Sequence, residues 1–256
     1  PNSPDFAMEL MRADATAAGF FLAIGGLVAW AVLVGFLCRF PLRPLFALRG
    51  ASLPAFAVAI VATFAVPWFP SWFAERLVEL VPALGQGNAL QLITRMLTDS
   101  PLVGQVLFAV AITVGAPLFE ELLFRGFFWE AAERALRGVG QRLHLSDAAS
   151  ASLGRTSAWV ITSLFFALFH LDPLQSASLL VISFFIGWLR LMGGSVWPCV
   201  VAHFINNAIA TAITFAFMHV EASPDAGLPA WAAFGSLAVV IALCLTLIPF
   251  RHWKRP

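Results

Sequence analysis

Seven apolar runs, each near the ~20 residues a helix needs to cross a bilayer, recur along the chain with short polar gaps between them. They fall at 17–38, 52–70, 101–128, 157–172, 174–191, 195–218 and 229–250. In hydrocarbon such runs satisfy their own N–H and C=O groups by becoming α-helices. No gap has room for a soluble domain, so 1–256 reads as one integral membrane domain: an all-α, polytopic helix bundle with about seven transmembrane helices. Composition agrees, with 60% hydrophobic and 11% charged residues against roughly a quarter charged in ordinary soluble domains.

The polar gaps alternate in charge. Arg39, Arg43 and Arg49 follow the first run, and Arg134, Arg137, Arg142 and Arg155 follow the third. Arg190 and the tail RHWKRP fall on the same side, whereas the opposite gaps hold Glu75, Glu79, Asp99, Glu221 and Asp225 with only Arg76 and Arg95. Arginine excess marks the cytoplasmic face, so the expected topology is N-terminus out and C-terminus in. Ala17 to Cys38 is too long, with its arginines on the wrong flank, for a cleaved signal peptide, and reads as a retained span. In the gap 71–100, Phe73, Leu77, Leu80, Val81 and Leu84 repeat at helical spacing, predicting an interfacial helix on the bilayer. The gap 131–156 begins as a helical extension of the third run and turns polar around Ser146 to Ser152. Trp68, Trp72, Trp129, Trp159, Trp197 and Trp253 lie near run ends, as an aromatic belt requires.

A net charge of +1 gives no electrostatic case for nucleic acid; the lipid bilayer is the partner that composition implies. Cys38, Cys199 and Cys244 sit in apolar runs without paired spacing and are assigned to packing. Fourteen arginines, one lysine and no tyrosine suggest GC-rich codon usage, hence a bacterial inner membrane.

Ionisable side chains at membrane depth are costly and mark function by default. In GAPLFEELLFR, Glu121 and Arg125 stand four apart and can pair on one helix face. Glu120 points about 100° away, toward Phe124, and cannot share that arginine well. In FFALFH, Phe166 sits one turn before His170; in HFINN, His203 and Asn207 share a face while Asn206 lies on another. Each motif alone has a structural alternative. Glu121 and Arg125 can be a buried structural pair, His170 can be bonded at a helix end beside Asp172 and Pro173, and His203 with Asn207 can bond a neighbouring helix. His144 and His219 fall in polar gaps and read as surface residues.

Together, three apolar runs contribute a glutamate, a histidine, and a histidine with an asparagine, the groups needed to hydrolyse an amide. Glutamate and one histidine can deprotonate and orient water; the other histidine and the asparagine can donate to an oxyanion. Glu120, His170 and His203 are equally three candidate zinc ligands with a fourth position left for water. Other protease chemistries fit poorly. No H-E-x-x-H or G-x-G-D occurs, and Ser195 lies about 12 Å along its helix from His203. At 1.5 Å per residue the depths of Glu120, His170 and His203 agree only roughly; tilt or a long, broken third helix would reconcile them.

EELLFR matches E-E-x-x-x-R, FALFH matches F-x-x-x-H and HFINN matches H-x-x-x-N, in that order. Over about residues 100–215 the chain resembles the CPBP family of intramembrane proteases, the CAAX-protease, bacteriocin-processing and abortive-infection group. The resemblance implies that Glu120 and His170 activate water, that His203 and Asn207 hold the oxyanion, and that Glu121 and Arg125 brace the site. It also implies a protein or peptide substrate, membrane-anchored and cut near its C-terminus or membrane segment, with no cofactor favoured and zinc as the alternative. Two further classes remain open from the residues: a small carrier or proton relay through Glu120, His170 and His203, and a non-catalytic immunity or assembly protein. The first lacks the repeat that carriers commonly show and leaves Asn207 without a role; the second would be marked by decayed motifs, and these are intact.

Overall fold

The computed structural model describes residues 13–86, 89–217 and 227–250, and all its regular elements are helical. His219, Glu221, Asp225 and the tail 251–256 lie outside the described residues. The helices are α1 (Ala13–Leu37), α2 (Leu53–Thr63), α3 (Trp68–Leu80), α4 (Ala89–Thr98), the long run α5 (Leu102–Arg142), α6 (Asp147–Leu168), α7 (Pro173–Gly193), α8 (Trp197–Phe217) and α9 (Ala230–Leu245). A helical membrane bundle is the result. Among the described residues, five segments are long and apolar enough to cross a bilayer: Ala15–Leu37, Leu53–Leu80, Leu102–Arg142, Pro173–Gly193 and Trp197–Ala216. Ala230–Leu245 is apolar but shorter.

The fourth apolar run belongs to a helix with earlier bounds than expected. It is the inner part of α6, which starts at Asp147 and stops at Leu168. The polar residues around Ser146 form the start of that helix, because Ser146 accepts from Ala149 N–H at 3.2 Å as an N-cap. α5 and α6 therefore make a helical hairpin around a short turn. They cross closely: a Cβ on Gly154 would sit 2.6 Å from the Glu133 carbonyl oxygen. The gap after the second run is not one interfacial helix. Helix continues through Leu80 as α3, packed on α7 and α9, and a separate α4 follows. Leu80 and Val81 of the apolar stripe are exposed, while α4 buries Leu97 beside Phe108.

Besides the small Leu97 and Phe108 cluster, the described core has two larger parts. Val58, Ala59 and Ala62 of α2 pack with Ile182, Phe185, Ile186 and Leu189 of α7 and with Cys199 and Ala202 of α8. Ala31, Leu45 and Phe46 pack with Leu123 and Phe124 of α5 and Phe166 of α6. α7 bridges the two and has well-defined ends. Asp172 Oδ1 accepts from Gln175 N–H at 2.8 Å with Pro173 in the first turn, and Gly194 closes the helix at φ 68°.

α5 is interrupted where its chemistry lies. Ala111–Gly115 and Leu122–Phe128 are π-helical, flanking a regular stretch Ala116–Glu121. Ala116 N–H reaches back five residues to the Ala111 carbonyl, and the next residue, Pro117, has no N–H to offer. The Ile112 carbonyl is thereby passed over by both donors that could have taken it. At the second segment, Trp129 N–H bonds Gly126 and Phe124 and passes over Arg125. Such π-segments occur often at functional sites because they re-aim side chains and free backbone groups. The long, broken third helix that would level the polar residues is present.

Candidate active site

Glu120 and Glu121 occupy the last turn of the regular stretch between the π-segments, and both are buried. Glu121 and Arg125 are each 0% exposed and pair at 3.1 Å, Oε1 to Nη1. Since a buried pair is stable only when its remaining valences are met, the surroundings of Arg125 matter. Its Nη2 donates to Ser183 Oγ at 2.7 Å and to the Ser183 carbonyl at 3.2 Å, and its guanidinium lies 4.3 Å from the centre of the Phe166 ring. Ser163 Oγ donates to that same carbonyl at 3.2 Å, tying α6 to α7.

Glu121 has a second partner. His203 Nδ1 lies 2.8 Å from the same Oε1 atom. A carboxylate only accepts, so Nδ1 carries the proton and Nε2 is turned outward. Nε2 stands 3.9 Å from Glu120 Oε2. That distance is too long for a direct hydrogen bond and suits a bridging water. Glu121 Oε2 and Arg125 Nε are buried without a hydrogen-bond partner among the described residues.

His170 sits one residue beyond the C-cap of α6. Its Nδ1 contacts the Phe166 carbonyl at 3.0 Å, so that nitrogen is again the donor and Nε2 is left over. Phe166 stands between the two imidazoles, with ring centroids 5.2 Å from His170 and 5.7 Å from His203. Glu120 thus meets His203, while no hydrogen bond or ion pair joins Glu120 to His170. Asn207, one turn along α8 from His203, donates through Nδ2 to the Ile112 carbonyl at 3.0 Å, and its Oδ1 accepts from Asn206 at 3.3 Å. It takes the oxygen that the first π-segment and Pro117 leave over, while the second hydrogen of the amide remains.

For a metal, the donor set is incomplete. Each histidine has its Nδ1 held and its Nε2 turned out, as metal ligands do. Among the described residues, however, no three His, Cys, Asp or Glu side chains converge closely enough to hold an ion. Glu120, His170 and His203 are not such a group.

Sequence reasoning missed two partners. Ser183 was hidden by its small size in an apolar helix, although its seven-residue offset from Arg190 puts both on one face. Arg190, at the end of the run 174–191, reads from the sequence only as a charge on the arginine-rich side; in the structure it is buried in the last turn of α7, and its Nε donates to the Arg125 carbonyl at 2.9 Å. An arginine next to an apolar run was the available signal.

Helices long and apolar enough to cross a membrane, holding two buried carboxylates against the His203 imidazole, fit an integral membrane protein. Residues 102–209, the segment that carries every one of these groups, match the family model described as Rce1-like, type II CAAX prenyl endopeptidase. Over that segment the chain is similar to this CPBP-type family. Neither a curated protein nor a solved structure matches the chain.

Proposed function

We propose that the chain is an intramembrane endopeptidase that cuts a membrane-anchored protein or peptide near its C-terminus or membrane segment. The observation that carries the reading is the 3.9 Å approach of Glu120 Oε2 to His203 Nε2, with His203 aimed by Glu121. A water seated against Glu120 is deprotonated by that carboxylate as it attacks the scissile carbonyl, and His170 Nε2 faces the same work as a second acceptor. The developing oxyanion is taken by His203 and Asn207. His203 holds one N–H on Glu121, so it donates from Nε2 when it carries both protons. Asn207 donates with the amide hydrogen not spent on Ile112. Protonated Glu120 then returns its proton to the leaving amine, which closes the cycle without a covalent intermediate. Glu121 and Arg125 brace the site.

The relay reading would use Glu120, His170 and His203 but gives the second amide hydrogen of Asn207 nothing to hold. The test is cleavage of a fluorogenic prenylated peptide ending in a CAAX sequence by purified protein in bilayer nanodiscs. Glu120-dependent release of the C-terminal fragment supports the reading; turnover in Glu120→Gln equal to wild type would sink it.

A further inference from the structure

Arg190 is a buried cation, 6% exposed, with no carboxylate within ion-pair distance among the described residues. A charge buried without a direct ion pair, with Glu133 and Glu130 acting on it only from further away, is costly, and its contacts say what it is for. Nε donates to the Arg125 carbonyl at 2.9 Å, and the guanidinium lies 5.1 Å from the centre of the Trp129 ring. Trp129 is fixed in turn, 1% exposed and donating to Glu133 Oε2 at 2.9 Å.

The acceptor is the oxygen that Trp129 N–H, its ordinary α-helical donor, passes over in favour of Phe124 and Gly126. The two π-segments are therefore treated alike. Each leaves a carbonyl on α5, and a side chain from another helix claims it: Asn207 of α8 takes Ile112, and Arg190 of α7 takes Arg125. The far side of the second segment is closed, because a Cβ on Gly126 would sit 2.9 Å from Phe46 Cα. The segment is held between Phe46 and Arg190.

We infer that Arg190 is a positioning residue for this site: by holding the Arg125 carbonyl it fixes the π-segment that aims Arg125 at Glu121, and so sets the Glu121 to His203 contact. What it positions is catalytic only on the endopeptidase reading; that it positions is independent of that reading. The donor, not the charge, is what the geometry uses. Gln carries an N–H the same number of bonds from Cβ as Arg Nε, whereas Met matches the stem and has no donor.

The experiment uses the full chain in nanodiscs with 15N-labelled histidine. The His203 Nδ1–H resonance is identified by its loss in His203→Asn. Arg190→Met is expected to shift or broaden that resonance without lowering the thermal midpoint, since the cost of burying the cation is removed together with its hydrogen bond. Arg190→Gln is expected to restore it. With the prenylated CAAX peptide, kcat in Arg190→Met should fall on the order of a hundredfold, the scale for about 1 Å of misplacement, with KM unchanged and kcat recovered in Arg190→Gln. An unchanged resonance in Arg190→Met overturns the inference, as does a Gln variant as impaired as Met, or a fall in thermal midpoint common to both. If Glu120→Gln cleaves like wild type, the endopeptidase reading fails while the resonance still decides the role of Arg190.

Discussion

His203 Nδ1 meets Glu121 Oε1 at 2.8 Å, and the same oxygen accepts from Arg125 at 3.1 Å. One carboxylate atom thus joins α5 to α8, and a single pairing both braces the bundle and sets the direction of the imidazole. Among the described residues Glu120 has no ion-pair partner closer than His203 Nε2. Adjacent glutamates have divided the work: Glu121 is consumed by structure, and Glu120 is spare.

That division predicts opposite phenotypes. Glu120→Gln preserves shape and removes the base, so cleavage should fall by about 100- to 10,000-fold while the thermal midpoint stays close to wild type. Peptide turnover and thermal denaturation on the same preparation check it; an active Gln variant refutes the assignment.

Glu121→Ala should instead unfold. It strands Arg125 and frees His203 together, and breaking one side of a buried pair costs about 3–5 kcal/mol. The combined Glu121→Leu and Arg125→Met variant removes both charges and should recover much of that loss. Denaturation midpoints of the three proteins decide it, and a double variant weaker than Glu121→Ala would refute the pairing argument.

Much of this was legible because each signal was local. The i and i+4 spacing of Glu121 with Arg125 gave the pair, and the isolation of Glu120 gave the spare carboxylate. Partners from distant helices were not legible, since nothing in the periodicity of α8 says that His203 will find Glu121 before Glu120. Arg190 illustrates the limit. Beside an apolar run an arginine reads as a topology charge, and only the packing of α7 on α5 turns it inward. The π-segments were equally silent: Pro117 announces a missing donor, but which carbonyl is left over depends on how the helix is wound before it.

The proposed orientation has its own reporter. Cys38, just past the end of α1 beside Arg39, is free and exposed, while Cys199 is buried and Cys244 partly so. With the arginine side cytoplasmic, an impermeant maleimide should label Cys38 in inverted membrane vesicles and leave it unlabelled in intact cells. Cys244→Ala supplies the background, and labelling from outside would reverse the topology.

A metal-free mechanism predicts purified protein without stoichiometric zinc and cleavage that survives chelator. Elemental analysis of wild type and His203→Ala tests this, because His203 is the candidate ligand whose Nε2 lies nearest Glu120. One zinc per chain that vanishes in the variant would replace the glutamate mechanism with a metal one and leave the protease assignment standing.

Asn207 has two proposed duties, and Pro117 separates them. Asn207→Ala leaves the Ile112 carbonyl unpaired, costing about 1–3 kcal/mol, and removes an oxyanion donor worth roughly a hundredfold in rate or more. Pro117→Ala supplies an N–H five residues after Ile112, the spacing already used between Ala116 and Ala111. In the double variant the helix can satisfy its own carbonyl, so the stability loss of Asn207→Ala should shrink, with a coupling energy of about 0.5–3 kcal/mol for groups sharing one bond. The rate loss should not be rescued, because no new donor reaches the oxyanion. Denaturation and single-turnover cleavage on all four proteins of the cycle therefore report independently. Additive stabilities would remove the clamp, and a rate restored along with stability would remove Asn207 from the oxyanion site, leaving it a helix-packing amide.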